Sequence, residues 1–198
     1  MQQSFVRIQH SLALLILLAL LGDDTLDAQG TRLLRQPTVS SSSIAFTYGA
    51  DLWIVGRDGG VARRLTSTPA VESDPHLSPD GSTVAFTSTR SGSPAVYTLP
   101  IEGGQPARLT WHSSPARVRG WSPDGEHVLY ASSRGTAPQG YDRLWTVSRN
   151  GGPSTLLPAP FGHKASYSPD GATALSWTRS AAGTPSGGTT EADRTGRW

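Results

Sequence analysis

Apolar residues in this chain come in short runs separated by turn residues, and the runs recur. Three brief pieces are "IAF" at Ile44–Phe46, "VAF" at Val84–Phe86 and "VLY" at Val128–Tyr130. A longer piece follows each one: "LWIVGRDGG" (Leu52–Gly60), "VYTLPIEGG" (Val96–Gly104) and "LWTVSRNGG" (Leu144–Gly152). The longer pieces align without a gap. Each places an aromatic residue second (Trp53, Tyr97, Trp145) and ends in Gly-Gly. After four more residues comes Leu65, Leu109 or Leu157, twice within "RLT". Runs this short, rich in β-branched and aromatic residues and bounded by Gly, Pro, Asn and Asp, predict strands. Helical spacing is not sustained in any window after residue 30.

The tetrapeptide Ser-Pro-Asp-Gly keeps the same beat, at 78–81, 122–125 and 168–171, so that its copies start 44 and 46 residues apart. A period in the forties in a strand-rich chain predicts propeller blades. Each unit then holds four strands: a stub before the tetrapeptide such as Val118–Trp121, a strand after it such as His127–Ala131, the "LWTV" strand and the "RLT" strand. The tetrapeptide itself suits a hairpin turn. Pro has its φ already set for the second position of a type I turn, Asp tolerates the third, and Gly takes the left-handed conformation that returns the chain to the ladder. "DGG", "EGG" and "NGG" do the same for the next hairpin. The competing reading makes Asp80 and Asp124 metal ligands or catalytic acids, but the turn alone accounts for the residue types.

The fold class expected is therefore all-β: about three four-stranded antiparallel blades and the start of a fourth, an incomplete propeller. Blades fall at about 31–77, 78–121 and 122–167, with the next beginning at Ser168. That fourth unit loses the pattern, with Ser176 where the others have Phe86 and Tyr130. The stretch "RSAAGTPSGGTTEADRTGRW" has one large apolar residue, Trp198. A disordered tail is expected over 179–198. The abrupt loss of register suggests a fragment of a longer protein, ended by a frame change after Leu175.

Ahead of the repeats lies "LALLILLALL" (Leu12–Leu21), preceded by Arg7 and no acid. Ten apolar residues fit the core of a signal peptide and fall short of a membrane span. Residues 1–28 are read as a signal peptide cleaved after Ala28, with an uncleaved anchor as the alternative. The chain is then exported, periplasmic or extracellular, with no membrane association after cleavage. The propeller region becomes 29–178. With no cysteine in the chain, disulfides and a lipidated thiol are excluded.

Composition adds little to this picture. The 22 Gly and 15 Pro suit a turn-rich fold. A net charge of +2 with scattered Lys and Arg offers no basic stripe for a nucleic-acid backbone. No G-x-S-x-G elbow occurs. His76, His112, His127 and His163 show no metal-ligand pairing and read as structural or solvated; His10 lies in the leader. Trp53, Tyr97 and Trp145 are expected to pack between blades, the alternative being an aromatic ring along a channel. No residue is assigned a catalytic, cofactor-binding or metal-binding role, and no cofactor is expected.

"DPHLSPDGSTVAFTSTR", "AVYTLPIEGGQPARLT", "RLTWHSSPARVRGWSPDG" and "LWTVSRNGGPSTLLPAPFGHKASYSPDG" resemble the propeller repeats of the tricorn protease N-terminal region over about residues 31–171. Similar repeats occur in TolB of the Tol-Pal system and in prolyl-oligopeptidase-type peptidases. The resemblance implies a large serine peptidase whose propellers filter or channel peptides. Catalysis in that family belongs to C-terminal domains behind a PDZ domain, so no family catalytic residue maps onto this chain. Expected partners are peptides or proteins, together with the further propeller, PDZ and peptidase domains of the parent. An open blade array also invites homo-oligomerisation. The alternative function is a TolB-type envelope propeller acting as a protein-binding scaffold.

Overall fold

The computed structural model describes residues 33–138 and 140–168, together with the backbone of the strands Ala174–Trp177 and Thr190–Ala192. The leader (1–28), the last three residues of the third Ser-Pro-Asp-Gly copy and most of the 179–198 tail lie outside the described residues. The described chain forms antiparallel sheets and no helix. The first sheet holds β1 (Arg35–Val39), β2 (Ser43–Tyr48), β3 (Asp51–Gly56) and β4 (Arg63–Arg64). The second holds β5 (Glu72–Leu77), β6 (Thr83–Ser88), β7 (Ala95–Pro100) and β8 (Ala107–Arg108). The third holds β9 (Ala116–Trp121), β10 (His127–Ser132), β11 (Arg143–Ser148) and β12 (Thr155–Leu156). The fourth holds β13 (Lys164–Tyr167), β14 (Ala174–Trp177) and β15 (Thr190–Ala192). Strands neighbour one another in chain order within each sheet. This is the expected open run of propeller blades.

Two details differ from the expected layout. Each Ser-Pro-Asp-Gly turn joins the first two strands of one sheet, so limits drawn at the turns fall inside blades; the second and third sheets run from Glu72 to Arg108 and from Ala116 to Leu156. Within the tail read as disordered, Thr190–Ala192 pair with Ala174–Ser176 and give the fourth sheet its third strand.

The turns fold as their residue types dictate. Gly81 donates its N–H to Ser78 O at 2.8 Å, and Gly125 to Ser122 O at 2.9 Å. Both glycines have φ of 71°, in the region a Cβ disfavours. The serine side chains span the turn: Ser78 Oγ donates to Asp80 Oδ1 and accepts from Thr83 N, and Ser122 Oγ bonds Asp124 Oδ1 and His127 N likewise. Asp80 Oδ1 in turn accepts from Ser82 N, and Asp124 Oδ1 from Glu126 N. These serine and backbone donors hold both carboxyls below the usual carboxylate range. Both aspartates thus serve as turn acceptors through Oδ1, while Asp80 Oδ2 lies 3.6 Å from Arg149 Nη1.

Packing follows the alternation of each strand. One face of a sheet looks back at the preceding sheet and the other looks forward. Val84, Phe86, Tyr97 and Leu99 of the second sheet pack back onto Ala45 and Leu52 of the first. Val128, Tyr130 and Val147 of the third pack back onto Ala85 and Val96 of the second, with Trp145 against the same cluster. Leu129, Ala131 and Leu144 face forward to Ala165 and Tyr167 of the fourth. One backbone bond repeats at every junction and ties the entry of each sheet to the second hairpin of the one before. Glu72 N donates to Ala50 O at 2.9 Å, Ala116 N to Pro94 O at 2.8 Å and Gly162 N to Asp142 O at 2.9 Å.

Candidate functional site

The first strands β1, β5, β9 and β13 lie side by side from sheet to sheet, while the two-residue strands β4, β8 and β12 form the outer edges. The first strands therefore wall the axial side of the array, as the innermost strands of a propeller do. Three of them are irregular. β1 shifts register between Arg35 and Thr38, β5 between Ser73 and His76, and β9 opposite Leu129 and Tyr130. Gln36 (φ 52°) and Asp74 (φ 50°) take left-handed conformations, each just before a proline, Pro37 and Pro75. Such a conformation costs a non-glycine residue about 1 kcal/mol. The bulge it makes re-aims the side chain.

The re-aimed side chains meet. Gln36 Nε2 donates to Asp74 Oδ1 at 3.1 Å, and Asp74 N donates to Gln36 Oε1 at 3.0 Å. Arg119 Nη1 lies 3.5 Å from Asp74 Oδ1, and Arg119 Nε donates to His163 O at 2.5 Å. A polar belt thus crosses from the first sheet to the threshold of the fourth. It borders a cavity of about 370 Å³ whose walls include Gln36, Asp74, His76, Arg119 and Lys164. Burial lowers the His76 pKa to about 4; Asp74 opposes this and Arg119 adds to it. His76 is therefore neutral at pH 7, the Asp74 charge is matched by Arg119, and Lys164 brings an exposed ammonium to the opening. This set can grip amide, carboxylate and ammonium groups along an extended chain.

A second crevice, of about 750 Å³, lies where the second hairpin of the third sheet meets the entry of the fourth. Tyr141, Phe161 and an Asp142–His163 pair, with Oδ2 and Nδ1 2.6 Å apart, line it.

Of the residues singled out in the sequence, His76 lines this cavity and His163 lines the second crevice and accepts from Arg119 through its carbonyl, while the others lie elsewhere. Trp53, Tyr97 and Trp145 sit on the third strands, on the backward-looking faces and away from the bore. Tyr97 stacks on Phe86, Trp145 packs against the cluster shared with the second sheet, and Trp53 meets Tyr48 edge-on. Tyr97 and Trp145 are inter-blade residues, Trp53 is part-exposed beside Tyr48 of its own sheet, and the three form no channel ring. His112 stacks on Tyr130 with centroids 6.2 Å apart. His127 begins β10 at the surface. The belt was missed because Gln36, Asp74, Arg119 and Lys164 share no residue type. Their common signal is position, three or four residues before the serine that opens each first turn, with proline next in two of the four.

Residues 31–187 match the family described as the tricorn protease N-terminal beta propeller domain. "Tricorn protease homolog 1" of Streptomyces coelicolor is 39% identical over 160 residues, 76% of this chain and 15% of that protein. The crystal structure of the tricorn protease superposes with a TM-score of 0.64 at 22% identity, over 73% of this chain and 15% of that one. TolB from Acinetobacter baumannii superposes with a TM-score of 0.65 at 20% identity, over 82% of this chain and 41% of that one. At these identities the likeness to the solved structures is one of fold. The chain spans about a seventh of its Streptomyces relative.

Proposed function

The chain belongs to the tricorn protease N-terminal β-propeller domain family, and from that membership we propose that it is the non-catalytic propeller segment of an exported tricorn-like serine peptidase. In this reading the segment receives extended peptides at its axial side, and hydrolysis belongs to other domains of the parent. The observation that carries it is the belt Gln36–Asp74–Arg119 with Lys164 beside it. Bulges at two strained residues aim these polar groups at one cavity, a backbone cost that a purely structural strand does not require. The apolar run Leu12–Leu21 behind Arg7 supports export.

The test is binding without turnover. Fluorescent unstructured peptides of about ten residues are titrated against the purified chain, and the same mixtures are assayed for cleavage. Saturable binding is expected, with no hydrolysis. Lys164→Glu should weaken acidic peptides and favour basic ones, since it inverts an exposed charge at the opening. No binding of extended peptides, together with retention of a folded envelope protein, would replace this reading with a TolB-type scaffold.

A further inference from the structure

We infer that the junction between the second and third sheets binds a small monovalent anion, held by Arg134 and His112. The inference goes beyond peptide handling and does not depend on it.

The junction before it shows what this position does. Where the second sheet meets the first, Thr68 Oγ1 at 3.2 Å and Arg90 Nη2 at 2.6 Å both donate to Glu72 Oε1. The Glu72 side chain is fully buried, and the Arg90 guanidinium lies over the Phe86 and Tyr97 rings. A carboxylate of the chain thus gathers one donor from the inter-sheet connection and one from the hairpin.

Forty-four residues further on, the same frame recurs with different occupants. Thr110 Oγ1 accepts from Val96 N at 2.9 Å as Thr66 Oγ1 does from Leu52 N. Ala116 pairs with Ser132 as Glu72 pairs with Ser88. Arg134 N donates to Ser132 Oγ as Arg90 N does to Ser88 Oγ. The Arg134 guanidinium lies over Trp145, 5.2 Å from the ring centroid. His112 stands in the place of Thr68, and Ala116 in that of Glu72. Both donor positions are kept, and the acceptor between them has become a methyl group.

The side chains carry the mark of that exchange. Arg134 makes no ion pair among the described residues. His112 stacks on Tyr130, and both of its ring nitrogens are buried without a hydrogen-bond partner. Trp145 Nε1 is buried and unpartnered in the same junction. So is Tyr130 Oη, which faces Arg134 and Ser154 without closing a hydrogen bond to either. Buried polar atoms of folded proteins are paired, with water or an ion where no protein group serves. Burial, with the charges of Arg134 and Arg108, lowers the His112 pKa, so the ring is neutral at pH 7 and offers one N–H. A guanidinium without a counter-charge beside N–H and O–H donors selects an anion, because bonds to a charged acceptor are the stronger ones. One guanidinium balances one charge, and the missing carboxylate sets the size, that of chloride or formate. Arg134 is exposed, so the ligand enters from solvent.

Thermal melts of the purified chain in sodium chloride and in sodium gluconate of equal ionic strength test this, gluconate being too large for the site. At chloride ten times its dissociation constant, the melting temperature should exceed that in gluconate by about 3–6 °C. The chloride NMR line should broaden in the presence of the protein and sharpen again when formate is added, which reads occupancy apart from stability. Arg134→Gln changes an exposed residue and should abolish both responses. His112→Thr with Ala116→Glu rebuilds the preceding junction, supplies the carboxylate from the chain, and should abolish them as well. Equal melting in the two salts, an unbroadened chloride line, or a response kept by either variant would each overturn the inference and leave water as the partner of these atoms.

Discussion

The first and second sheets share strand order, hairpin register and residue classes, and they differ in what lies against them. Phe86 is fully buried beneath the first sheet, stacked on Tyr97, with the Arg90 guanidinium 5.5 Å from its ring centroid. Phe46 holds the same position and is part-exposed. Glu72 is sealed at the foot of the second sheet against Arg90 at 2.6 Å, whereas the charged pair of the first sheet, Asp51 with Arg64, leaves Arg64 45% exposed. A repeat thus sets which residues form a sheet, and the neighbouring sheet sets what each of them contributes. The contrast can be broken by mutation at matched positions.

The largest separation is expected at the aromatic pair. Phe86→Ala should cost about 3–5 kcal/mol, the range for emptying a buried phenylalanine site. Phe46→Ala should cost about 1 kcal/mol under conditions where the chain is monomeric, since a part-exposed ring loses less on truncation. Urea unfolding measures both, and equal losses would dissolve the contrast.

The ion pairs come next. Glu72→Ala leaves Arg90 without its carboxylate in a site with little solvent, and should cost about 2–3 kcal/mol. The arginine keeps its bond to Ser88 Oγ and its place over Phe86 and Tyr97. Arg64→Ala should cost less, about 1 kcal/mol, because Arg64 is half-exposed and the buried Asp51 keeps the hydrogen bond that Thr66 Oγ1 donates to it. Thermal melts of the two variants would show the gap, and raising salt should narrow the effect of Arg64→Ala alone.

A third separation is in pH. The second sheet has His76 opposite Ala85 where the first has Thr38 opposite Ala45. The folded-state pKa of His76, about 4, lies below its ordinary 6.5. The unfolded chain therefore takes the proton first. The contribution of His76 is complete above about pH 6.5 and is lost as pH falls towards 4, amounting to about 3 kcal/mol. His76→Thr should flatten the stability profile over that interval. Wild-type and variant profiles of the same slope would remove His76 as the cause. Asp80 and Asp124 act lower down: their depressed pKa values give stability that is present above the ordinary carboxylate range and lost as pH falls below it.

The smallest contrast is in the first hairpin of each sheet. Gly81→Ala forces a Cβ into φ of 71°, 3.3 Å from Ser40 Oγ, and should cost about 1 kcal/mol. The first sheet turns through Ser40–Ser43 with no left-handed residue, held by Ser40 N donating to Ser43 O. Ser42→Ala there should stay within about 0.5 kcal/mol.

Much of the fold is legible in the chain because its causes are local. The strands follow from runs such as Val84–Phe86 and Val96–Leu99. The turns follow from Ser-Pro-Asp-Gly, whose proline and glycine preset the backbone and whose serine and aspartate bond it. The fourth sheet is less legible, since β15 comes from a polar stretch, Thr190–Ala192, that carries no strand pattern of its own and is recruited by the free edge of β14. The candidate site is hardly legible at all. Gln36, Asp74 and Arg119 are 38 and 45 residues apart in turn and differ in type, and nothing within one repeat announces that they touch.

The sequence by itself determined the repeat, the strands, their register and the hairpins, because alternation and φ preferences act over a few residues. Only the tertiary structure decided which face of each sheet is sealed and which polar side chains share the bore. Those depend on stacking one sheet against the next, and stacking turns one position in each repeat towards a common axis however far apart the residues lie along the chain.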